Sequence, residues 1–207
     1  MQKAEKFWDK ASRRYAKSPV KNMEAYNRTM ERTKFYLSKE DDVLEVGCGA
    51  GSTALLLADQ ARRITATDIS SEMIRIAEDK AKAQGVENAE FICAEIFEDA
   101  LGKGPFDVAL PFNLLHLVED APAAIRRIRG LLKPGGLFIS KTVCLGGHSR
   151  LLRYVIPAMQ AIGLAPYVSY LTAAGLASII REEGFEIIET GNYPAKPPRP
   201  FIVAKKV

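Results

Sequence analysis

The sequence predicts an α/β protein in which a mostly parallel sheet carries helices on both faces. Short β-branched apolar runs alternate with amphipathic helical runs through the middle of the chain, a pattern typical of strands joined by crossover helices. The two closing runs, 185–189 and 201–204, are separated by a proline-rich connection that is too short for a helix. We therefore expect these two strands to pair antiparallel at the sheet edge.

The N-terminal segment, 1–40, is predicted to form two helices. Phe7 and Tyr15 lie on one helical stripe that ends at Ser18-Pro19, and a second amphipathic run covers 23–37. Within positions 1–39, eleven Lys and Arg outnumber four Asp and Glu, whereas the rest of the chain has a net charge of −3. A solvated basic face is the simplest interpretation, with an anionic substrate, nucleic acid or an anionic lipid surface as alternatives.

Local start and stop signals place the elements that follow. Ser70 fits the N-cap of a helix that stops at Gly85, and Asp120 opens another helix. The sequence Lys-Pro-Gly-Gly at 133–136 predicts a turn before the fifth strand. Strands are predicted at 42–47, 64–67, 89–93, 106–110, 137–142, 185–189 and 201–204, and helices at 52–61, 70–85, 120–132 and 169–183.

A long segment without charge needs a separate interpretation. No charged residue occurs from 154 to 180, and such a stretch is long enough to span a membrane. Pro157, Gly163 and Pro166 interrupt it, however, so we interpret it as two buried helices joined near 165–166 rather than as a membrane span.

Cysteine, histidine and the N-terminus exclude other classes. Cys48, Cys93 and Cys144 are far apart and form no CxxC pair, and the chain has two histidines, so we expect no metal site. The N-terminal sequence lacks the apolar core of a signal peptide, so a cytoplasmic location is expected.

A glycine-rich loop directly follows the first predicted strand and leads into a helix. In Glu45-Val-Gly47-Cys48-Gly49-Ala-Gly51, glycines at alternate positions let a ligand approach the main chain, and helix amides can face an anion. The spacing is GxGxG, whereas GxGxxG suits a pyrophosphate. A plain strand-to-helix turn is the alternative.

An acidic residue ends the second predicted strand. Asp68 is separated from Gly51 by one predicted helix and one predicted strand, and a carboxylate there can accept hydrogen bonds from both hydroxyls of a ribose. The alternative is that Asp68 caps the next helix, although Ser70 already fits that position. Glu45, inside the first strand, can accept from the loop amides or from an ammonium group.

Four segments resemble the successive motifs of class I S-adenosylmethionine-dependent methyltransferases, namely 43–51, 66–73, 106–111 and 131–137. The resemblance covers about 7–206 and includes the Phe-Trp-Asp…Tyr start of members similar to those of ubiquinone and menaquinone biosynthesis. It implies a Rossmann-like seven-stranded sheet of order 3-2-1-4-5-7-6 with strand 7 antiparallel. The chain, 1–207, would be a single methyltransferase domain, with a helical cap at 1–40 and a helical substrate-cover insertion at 145–175.

The resemblance also implies S-adenosylmethionine as cofactor and assigns residues to it. Gly47, Gly49 and Gly51 would wrap its methionine part, Glu45 would orient the loop, and Asp68 would hold the ribose hydroxyls. Glu95 stands where members often have Asp, and Tyr15 fits a core stripe nearly as well as a site. The other implied contacts are Tyr15 at the amino-acid end, Cys48 in the loop, Ile69 and Met73 at the adenine, Glu95 and Ile96 at its amino group and ring, and Pro111 and Phe112 at the cofactor's amino group.

Catalytic residues give a much weaker signal. His116, just after the fourth strand, is the candidate base, with a structural histidine as the alternative. The sequence Leu-Pro-Phe-Asn at 110–113 lacks the Asn/Asp-Pro-Pro-Tyr/Phe pattern, which disfavours adenine-N6 and glutamine methylation. The remaining substrate-side candidates are Lys141, His148, Tyr154, Tyr167 and Tyr170, whereas Cys144 makes a poor nucleophile.

The expected function is methyl transfer to a small, lipophilic or aromatic acceptor beneath a mostly apolar lid formed by the uncharged segment 154–180. That segment could instead form a homodimer interface. Nucleic acid is an unexpected partner, although an RNA methyltransferase that uses the basic N-terminal helices is one alternative function. A non-catalytic S-adenosylmethionine-binding protein is another, and a nicotinamide dehydrogenase is disfavoured by the loop spacing and the antiparallel edge.

Overall fold

The computed structural model describes residues 2–98, 101, 104–146, 152–194 and 198–207. Across these residues the elements follow the predicted order, and none of the helices is long and apolar enough to cross a membrane. The helices are α1 (Gln2–Lys17), α2 (Met23–Phe35), α3 (Ser52–Leu57), α4 (Ser71–Gln84), α5 (Ala121–Leu131), α6 (Leu152–Ala161) and α7 (Ala173–Glu182). The strands are β1 (Asp42–Val46), β2 (Arg63–Asp68), β3 (Ala89–Cys93), β4 (Phe106–Leu110), β5 (Leu132–Lys141), β6 (Phe185–Asn192) and β7 (Pro200–Lys206).

The strands form one sheet of order β3-β2-β1-β4-β5-β7-β6. The first five strands are parallel, and β7 lies antiparallel between β5 and β6. The sheet order that the resemblance implies and the antiparallel ending are therefore confirmed. The strand order reverses between β1 and β4, and ligands of open α/β sheets bind outside the carboxyl ends of the strands at such a point.

Two helices begin at the predicted capping residues. The Ser70 hydroxyl accepts from the amide of Met73 at 3.2 Å, and the Asp120 carboxylate accepts from the amide of Ala123 at 2.9 Å. Helix α4 ends at Gly85, whose φ of 65° is the left-handed conformation that favours glycine. These local signals therefore determine where α4 and α5 begin and where α4 ends.

Apolar side chains fill both faces of the sheet. Neighbouring residues of a strand point to opposite faces, so Val43 packs in one core and Leu44 in the other. The first core includes residues of α2, α3 and α4, and the second includes residues of α5 and α7. The β1 side chains from Val43 to Val46 are all buried, as expected for a parallel strand covered on both sides.

Strand β5 begins at Leu132, earlier than the predicted start at 137. The expected turn at 133–136 lies inside the strand, because Phe106 of β4 pairs with Leu132 whereas Val108 pairs with Leu137. Its glycines therefore form an irregularity within the ladder instead of a boundary before it.

The uncharged segment 154–180 forms one helix with a buried face and one exposed helix. Helix α7 buries Leu176 and Ile180, and it begins at Ala173 instead of the predicted 169. Tyr154 of α6 is 77% exposed, and Ile162 and Leu164 just after α6 are also exposed. The prediction of two buried helices is therefore wrong for α6, because a lack of charge does not distinguish a core helix from an exposed apolar one.

Candidate active site

The glycine loop after β1 is attached to the neighbouring strand by its backbone. Gly47, Gly49 and Gly51 have φ angles of 75°, 52° and 72°, which other residues rarely adopt. The amides of Gly47 and Cys48 donate to the carbonyl oxygen of Thr67 in β2 at 2.7 and 2.8 Å. These two bonds hold the loop at the carboxyl edge of the sheet.

Gly51 and Cys48 belong to the glycine loop but pack against the protein interior instead of lining the cavity. A Cβ on Gly51 would lie 2.7 Å from Cβ of Ala77 and 2.8 Å from Cε1 of Phe91, so glycine lets α4 and β3 pack against the loop. Cys48 is buried, and this burial, together with the charge of Glu45, raises the pKa of its thiol. Both residues therefore contribute to the packing of the loop rather than to direct contact with a ligand.

The carboxylate of Asp68 is held by two backbone amides at the end of β2. Its Oδ2 accepts from Gly49 at 2.8 Å and its Oδ1 accepts from Ser70 at 2.9 Å. Ser70 caps α4, so the N-cap alternative for Asp68 is excluded. Burial raises the pKa of Asp68, and the two amide bonds act against that rise. Each carboxylate oxygen keeps a second lone pair that can accept from a ligand hydroxyl.

Glu45 is an acid in the core of the sheet, 2% exposed. The amide of Ala54 bonds to its carboxylate, but Oε2 has no hydrogen-bond partner among the described residues. Burial raises the pKa of Glu45 to about 8, and the nearby charge of Asp68 acts in the same direction. A cationic group bound next to the loop would favour the ionised form of this carboxyl group.

Helix α1 covers the loop. The Tyr15 ring lies over Gly49, where a Cβ would be 3.4 Å from Cε1 of the tyrosine. Trp8 packs edge-on against Tyr15 with 6.0 Å between ring centroids. Asp9 ties the helix to α4, because its carboxylate accepts from the Ser70 hydroxyl at 2.6 Å. The N-terminal helix is therefore positioned against the loop by both packing and hydrogen bonding.

A cavity of about 750 Å³ opens beside the loop and extends under α1. Its size is within the usual range for a small-molecule site. Four of the residues assigned to the cofactor lie outside its lining, namely Glu45, Cys48, Gly51 and Pro111. The other nine line it, namely Tyr15, Gly47, Gly49, Asp68, Ile69, Met73, Glu95, Ile96 and Phe112.

The sheet order divides this lining into two sides. The β2–β3 side consists of the lining residues that follow β2 and β3, which are Asp68, Ile69, Met73 and 94–97. The β4–β7 side consists of those that follow β4 and β5 or precede α7 and β7, which are 112–114, 116–120, Val143, 166–168 and Arg199.

His116 and Arg199 are two of the polar residues on the β4–β7 side, which also includes Asn113, Glu119, Asp120 and Tyr167. His116 is buried in the 3-10 turn Leu115–Leu117, and its Nδ1 has no partner among the described residues. Burial lowers the pKa of His116 to about 4, with a further contribution from the charge of Arg199. The imidazole is therefore neutral at neutral pH and can accept a proton or a hydrogen bond.

Several other substrate-side candidates do not reach the cavity. Lys141 is buried beneath α2, where its Nζ donates to the Thr29 hydroxyl at 2.6 Å, and burial lowers its pKa to about 8. Tyr167 lines the cavity, whereas His148 lies outside the described residues. The described part of the chain contains no group of three or more His, Cys, Asp or Glu that could hold a metal ion. The candidates outside the lining are Lys141, Cys144, Tyr154 and Tyr170.

Sequence reasoning missed lining residues that distant segments contribute. Trp8 belongs to the Phe-Trp-Asp sequence near the N-terminus, and Arg199 lies in the proline-rich connection before β7, whose length indicates only the direction of the strand. Asn113, with a φ of 53°, turns the chain into the cavity after β4. No local pattern marks any of these three positions. The other lining residues without a sequence-based assignment are Ala4, Val46, Ala94, Phe97, Leu114, Leu117, Val118, Glu119, Asp120, Val143, Pro166 and Val168.

Comparison with known proteins tests the family that the sequence resembles. A family model described as a methyltransferase domain matches residues 43–136, from β1 into β5. A ubiquinone biosynthesis O-methyltransferase from Xylella fastidiosa is 30% identical over 162 residues, which are 75% of this chain and 65% of that protein. Residues 43–136 therefore match a methyltransferase domain. The chain spans about 65% of the length of that relative.

Solved structures share the fold of this chain at low sequence identity. The magnesium protoporphyrin IX methyltransferase of Synechocystis PCC 6803, solved with bound SAH, has a TM-score of 0.70 and 18% identity. The alignment covers 99% of this chain and 96% of that chain. The [4+2]-cyclase SpnF has a TM-score of 0.71 and 21% identity, covering 87% of this chain and 81% of that chain. One fold therefore hosts different chemistries, and the site has to decide between them.

Proposed function

We propose that this protein transfers the methyl group of S-adenosylmethionine to a small acceptor. The observation that carries the proposal is that the glycine loop and Asp68 share one cavity with His116. One side of that cavity has the donors and acceptors that a nucleoside needs, and the other has room and polar groups for a second molecule.

The residues on the β2–β3 side fit the proposed cofactor. Asp68 would accept from the ribose hydroxyls with its free lone pairs, and Ile69 and Met73 would pack against the adenine. Glu95, half-buried in the lining, would accept from the adenine amino group. Glu45 would act from behind the loop as a counter-charge for an ammonium group, which would explain an unpaired buried carboxylate oxygen.

Most of the protein's contribution to the reaction would be alignment and exclusion of water. When bound, the cofactor supplies a methyl group already activated by a sulfonium charge. Tyr15 and Trp8 would close the cavity from α1, and Phe112 would contact the cofactor's amino group. Such alignment of two reactants can lower a barrier by about 7–11 kcal/mol.

His116 is the proposed proton acceptor for acceptors that must lose a proton. It is neutral at neutral pH, and Nδ1 is free of partners among the described residues. A general base typically contributes about 10²–10⁴-fold. Replacing His116 with Asn should therefore lower kcat for a hydroxyl acceptor within that range, while the affinity for S-adenosylhomocysteine stays unchanged. An equal loss of that affinity would instead indicate a structural histidine.

The proposed acceptor is small and partly apolar, because Leu117, Val118, Val143 and Val168 line the β4–β7 side. Segment 145–175 would cover it through Pro166, Tyr167 and Val168. Its relative in Xylella fastidiosa is named for an O-methyl transfer in ubiquinone biosynthesis, which supports a hydroxyl acceptor of this kind. Methyl-transfer assays on apolar and polar phenols test the class, and turnover of highly charged acceptors alone would contradict it.

The cofactor half of the proposal has a direct test. Calorimetric titration should detect S-adenosylhomocysteine binding with micromolar or better affinity and no binding of NAD at the same concentration. If neither S-adenosylmethionine nor its demethylated product binds or raises Tm, the proposal is wrong. Binding without methylation of any acceptor would favour the non-catalytic alternative, for which the cyclase SpnF provides a precedent in fold alone.

The exposed surface of α6 supports a second role for the same segment, an interface between two copies of the chain. Tyr154, Val155 and Met159 present apolar surface to solvent. Sedimentation at increasing protein concentration tests this role, and Tyr154→Ser should weaken any dimer observed. A protein that remains monomeric at high concentration contradicts it.

A further inference from the structure

Arg199 reaches the cavity because β7 runs against the other strands. Phe201 of β7 pairs with Lys141 at the end of β5, and the amide of Thr142 donates to the carbonyl oxygen of Pro200 at 3.2 Å. The residue before β7 is therefore delivered to the edge where the parallel strands end. There Arg199 lines the cavity together with Val143 and His116.

The Arg199 side chain has no carboxylate partner among the described residues. Its Nε is buried without a hydrogen bond. Other arginines of the chain pair with acids through two nitrogens, as Arg32 does with Glu189 and Arg126 with Glu183. Because Arg199 lines the cavity without a carboxylate partner, its terminal N–H groups are available to a ligand that supplies acceptor atoms.

The distribution of charge favours an anion on this side of the cavity. Glu119 and Asp120 line this side together with Arg199, but no ion pair joins either acid to Arg199 among the described residues. Arg199 is the charged group that acts on His116 and Lys141, and its charge helps lower the pKa of both after the larger effect of burial. A positive potential next to a neutral imidazole would attract a negatively charged group.

We propose that Arg199 determines acceptor specificity by binding a carboxylate on the acceptor, which makes the acceptor an amphiphilic acid. The planar guanidinium has donors spaced to match both oxygens of a carboxylate. The apolar lining residues Leu117, Val118 and Val168 would contact the rest of the molecule. This inference rests on the proposed methyl transfer and specifies in addition that the acceptor is negatively charged.

The Arg199–carboxylate pair also affects His116. A carboxylate bound to Arg199 would offset the positive charge of the guanidinium, which is the smaller of the two causes that lower the pKa of the imidazole, so the pKa of His116 should rise when an acid is bound. A neutral acceptor leaves this effect of Arg199 in place. The carboxylate therefore improves both binding and proton acceptance.

The test compares matched acids and amides on the protein saturated with S-adenosylhomocysteine. The probes are 3-phenylpropanoate with 3-phenylpropanamide, indole-3-acetate with indole-3-acetamide, and octanoate with octanamide, each titrated by calorimetry. At least one acid should bind about tenfold or more tightly than its amide, as expected for a charged hydrogen-bonded pair. Arg199→Gln should abolish that preference, and Arg199→Lys should keep part of it.

Two controls separate the possible failures. Arg181→Gln removes an exposed arginine of α7 and should leave every affinity unchanged. S-adenosylhomocysteine should bind wild type and Arg199→Gln within about twofold of each other, because Arg199 is assigned to the acceptor. If the wild type does not bind S-adenosylhomocysteine, the proposed function itself fails.

Three results would overturn the specificity role alone. The first is that none of the acids binds better than its amide. The second is that the preference survives in Arg199→Gln. The third is that Arg199→Gln weakens S-adenosylhomocysteine binding about tenfold or more, which would assign the guanidinium to the carboxylate of the cofactor.

Discussion

The two sides of the cavity are stabilised in different ways. On the β2–β3 side, the polar groups are already engaged, since Asp68 accepts from the amides of Gly49 and Ser70. On the β4–β7 side, His116 Nδ1 and Arg199 Nε are buried without partners among the described residues. The Asp68 carboxylate is therefore preorganised by backbone amides, whereas the polar side chains His116 and Arg199 are not fixed by hydrogen bonds at these atoms.

This difference separates the expected consequences of substitution. Changes on the β2–β3 side should affect folding and cofactor binding together, because the same hydrogen bonds serve both. Changes on the β4–β7 side should affect the acceptor and leave the cofactor bound. Four experiments test the separation, from the largest expected effect to the smallest.

Gly51→Ala should give the largest loss of stability. The new Cβ would overlap Ala77 and Phe91, and alanine rarely adopts the φ of 72° found at this position. Overpacking and backbone strain should therefore both destabilise the variant. We expect about 2–5 kcal/mol from the two effects together. Gly85→Ala is the matched control, because its φ is 65° but nothing lies within 4 Å of its Cβ. Urea unfolding that shows equal losses for the two variants would contradict the packing role of Gly51.

Asp68→Ala should weaken S-adenosylhomocysteine binding by about 1–3 kcal/mol, the range for removing one partner of a buried charged hydrogen bond. Asp79→Ala, on the exposed face of α4 where Asp79 pairs with Arg75, should change binding very little. Calorimetry measures both variants, with urea unfolding to correct for any loss of folded protein. An unchanged affinity in the Asp68 variant would remove its ribose role.

Glu45 should make stability fall as pH rises. Its folded pKa of about 8 lies above its ordinary value of 4.5, so between these pH values the folded state binds more protons than the unfolded state. The contribution of Glu45 to the free energy of unfolding should therefore decrease with pH in this window, by up to about 1.4 kcal/mol per pH unit. His116, whose pKa is lowered to about 4, contributes in the opposite direction below about pH 6.5, so the quantity to measure is the difference in slope between the wild type and the Glu45 variant.

Glu45→Gln should remove that slope, and Glu186→Gln, at an exposed position of β6, should retain it. Urea unfolding at pH 5.5, 6.5 and 7.5 measures the slope in each variant. A wild-type protein that becomes more stable across this range would indicate that other groups outweigh Glu45.

Tyr167→Ala should have the smallest effect on the cofactor. Tyr167 is 40% exposed and lies on the β4–β7 side, so S-adenosylhomocysteine affinity should stay within about twofold, or roughly 0.4 kcal/mol. Acceptor affinity should fall by more than that. If the variant instead binds S-adenosylhomocysteine more weakly and the acceptor with unchanged affinity, the assignment of the β4–β7 side to the acceptor is wrong.

The same contrast explains what the sequence could predict. Gly47, Gly49 and Asp68 lie close together in sequence, and their spacing follows from the β1-loop-α3-β2 unit itself. The antiparallel pairing of β6 and β7 could also be predicted, because the connection between them is too short for a crossover helix.

Long-range features could not be predicted. Arg199 reaches the cavity only through the pairing of β7 with β5, which places Phe201 beside Lys141 although the two are far apart in sequence. Lys141 is buried because α2 packs over it, and α6 is exposed because none of its described side chains belongs to either core. Neither arrangement follows from the local sequence. Composition alone therefore described α7 correctly and α6 wrongly.

The reversed direction of β7 has a consequence for the proposed site. It places Arg199, the residue before β7, in the cavity wall at the edge where the parallel strands end. Substitutions just before β7 should therefore alter the choice of the proposed acceptor and leave the proposed nucleoside contacts after β1 and β2 in place.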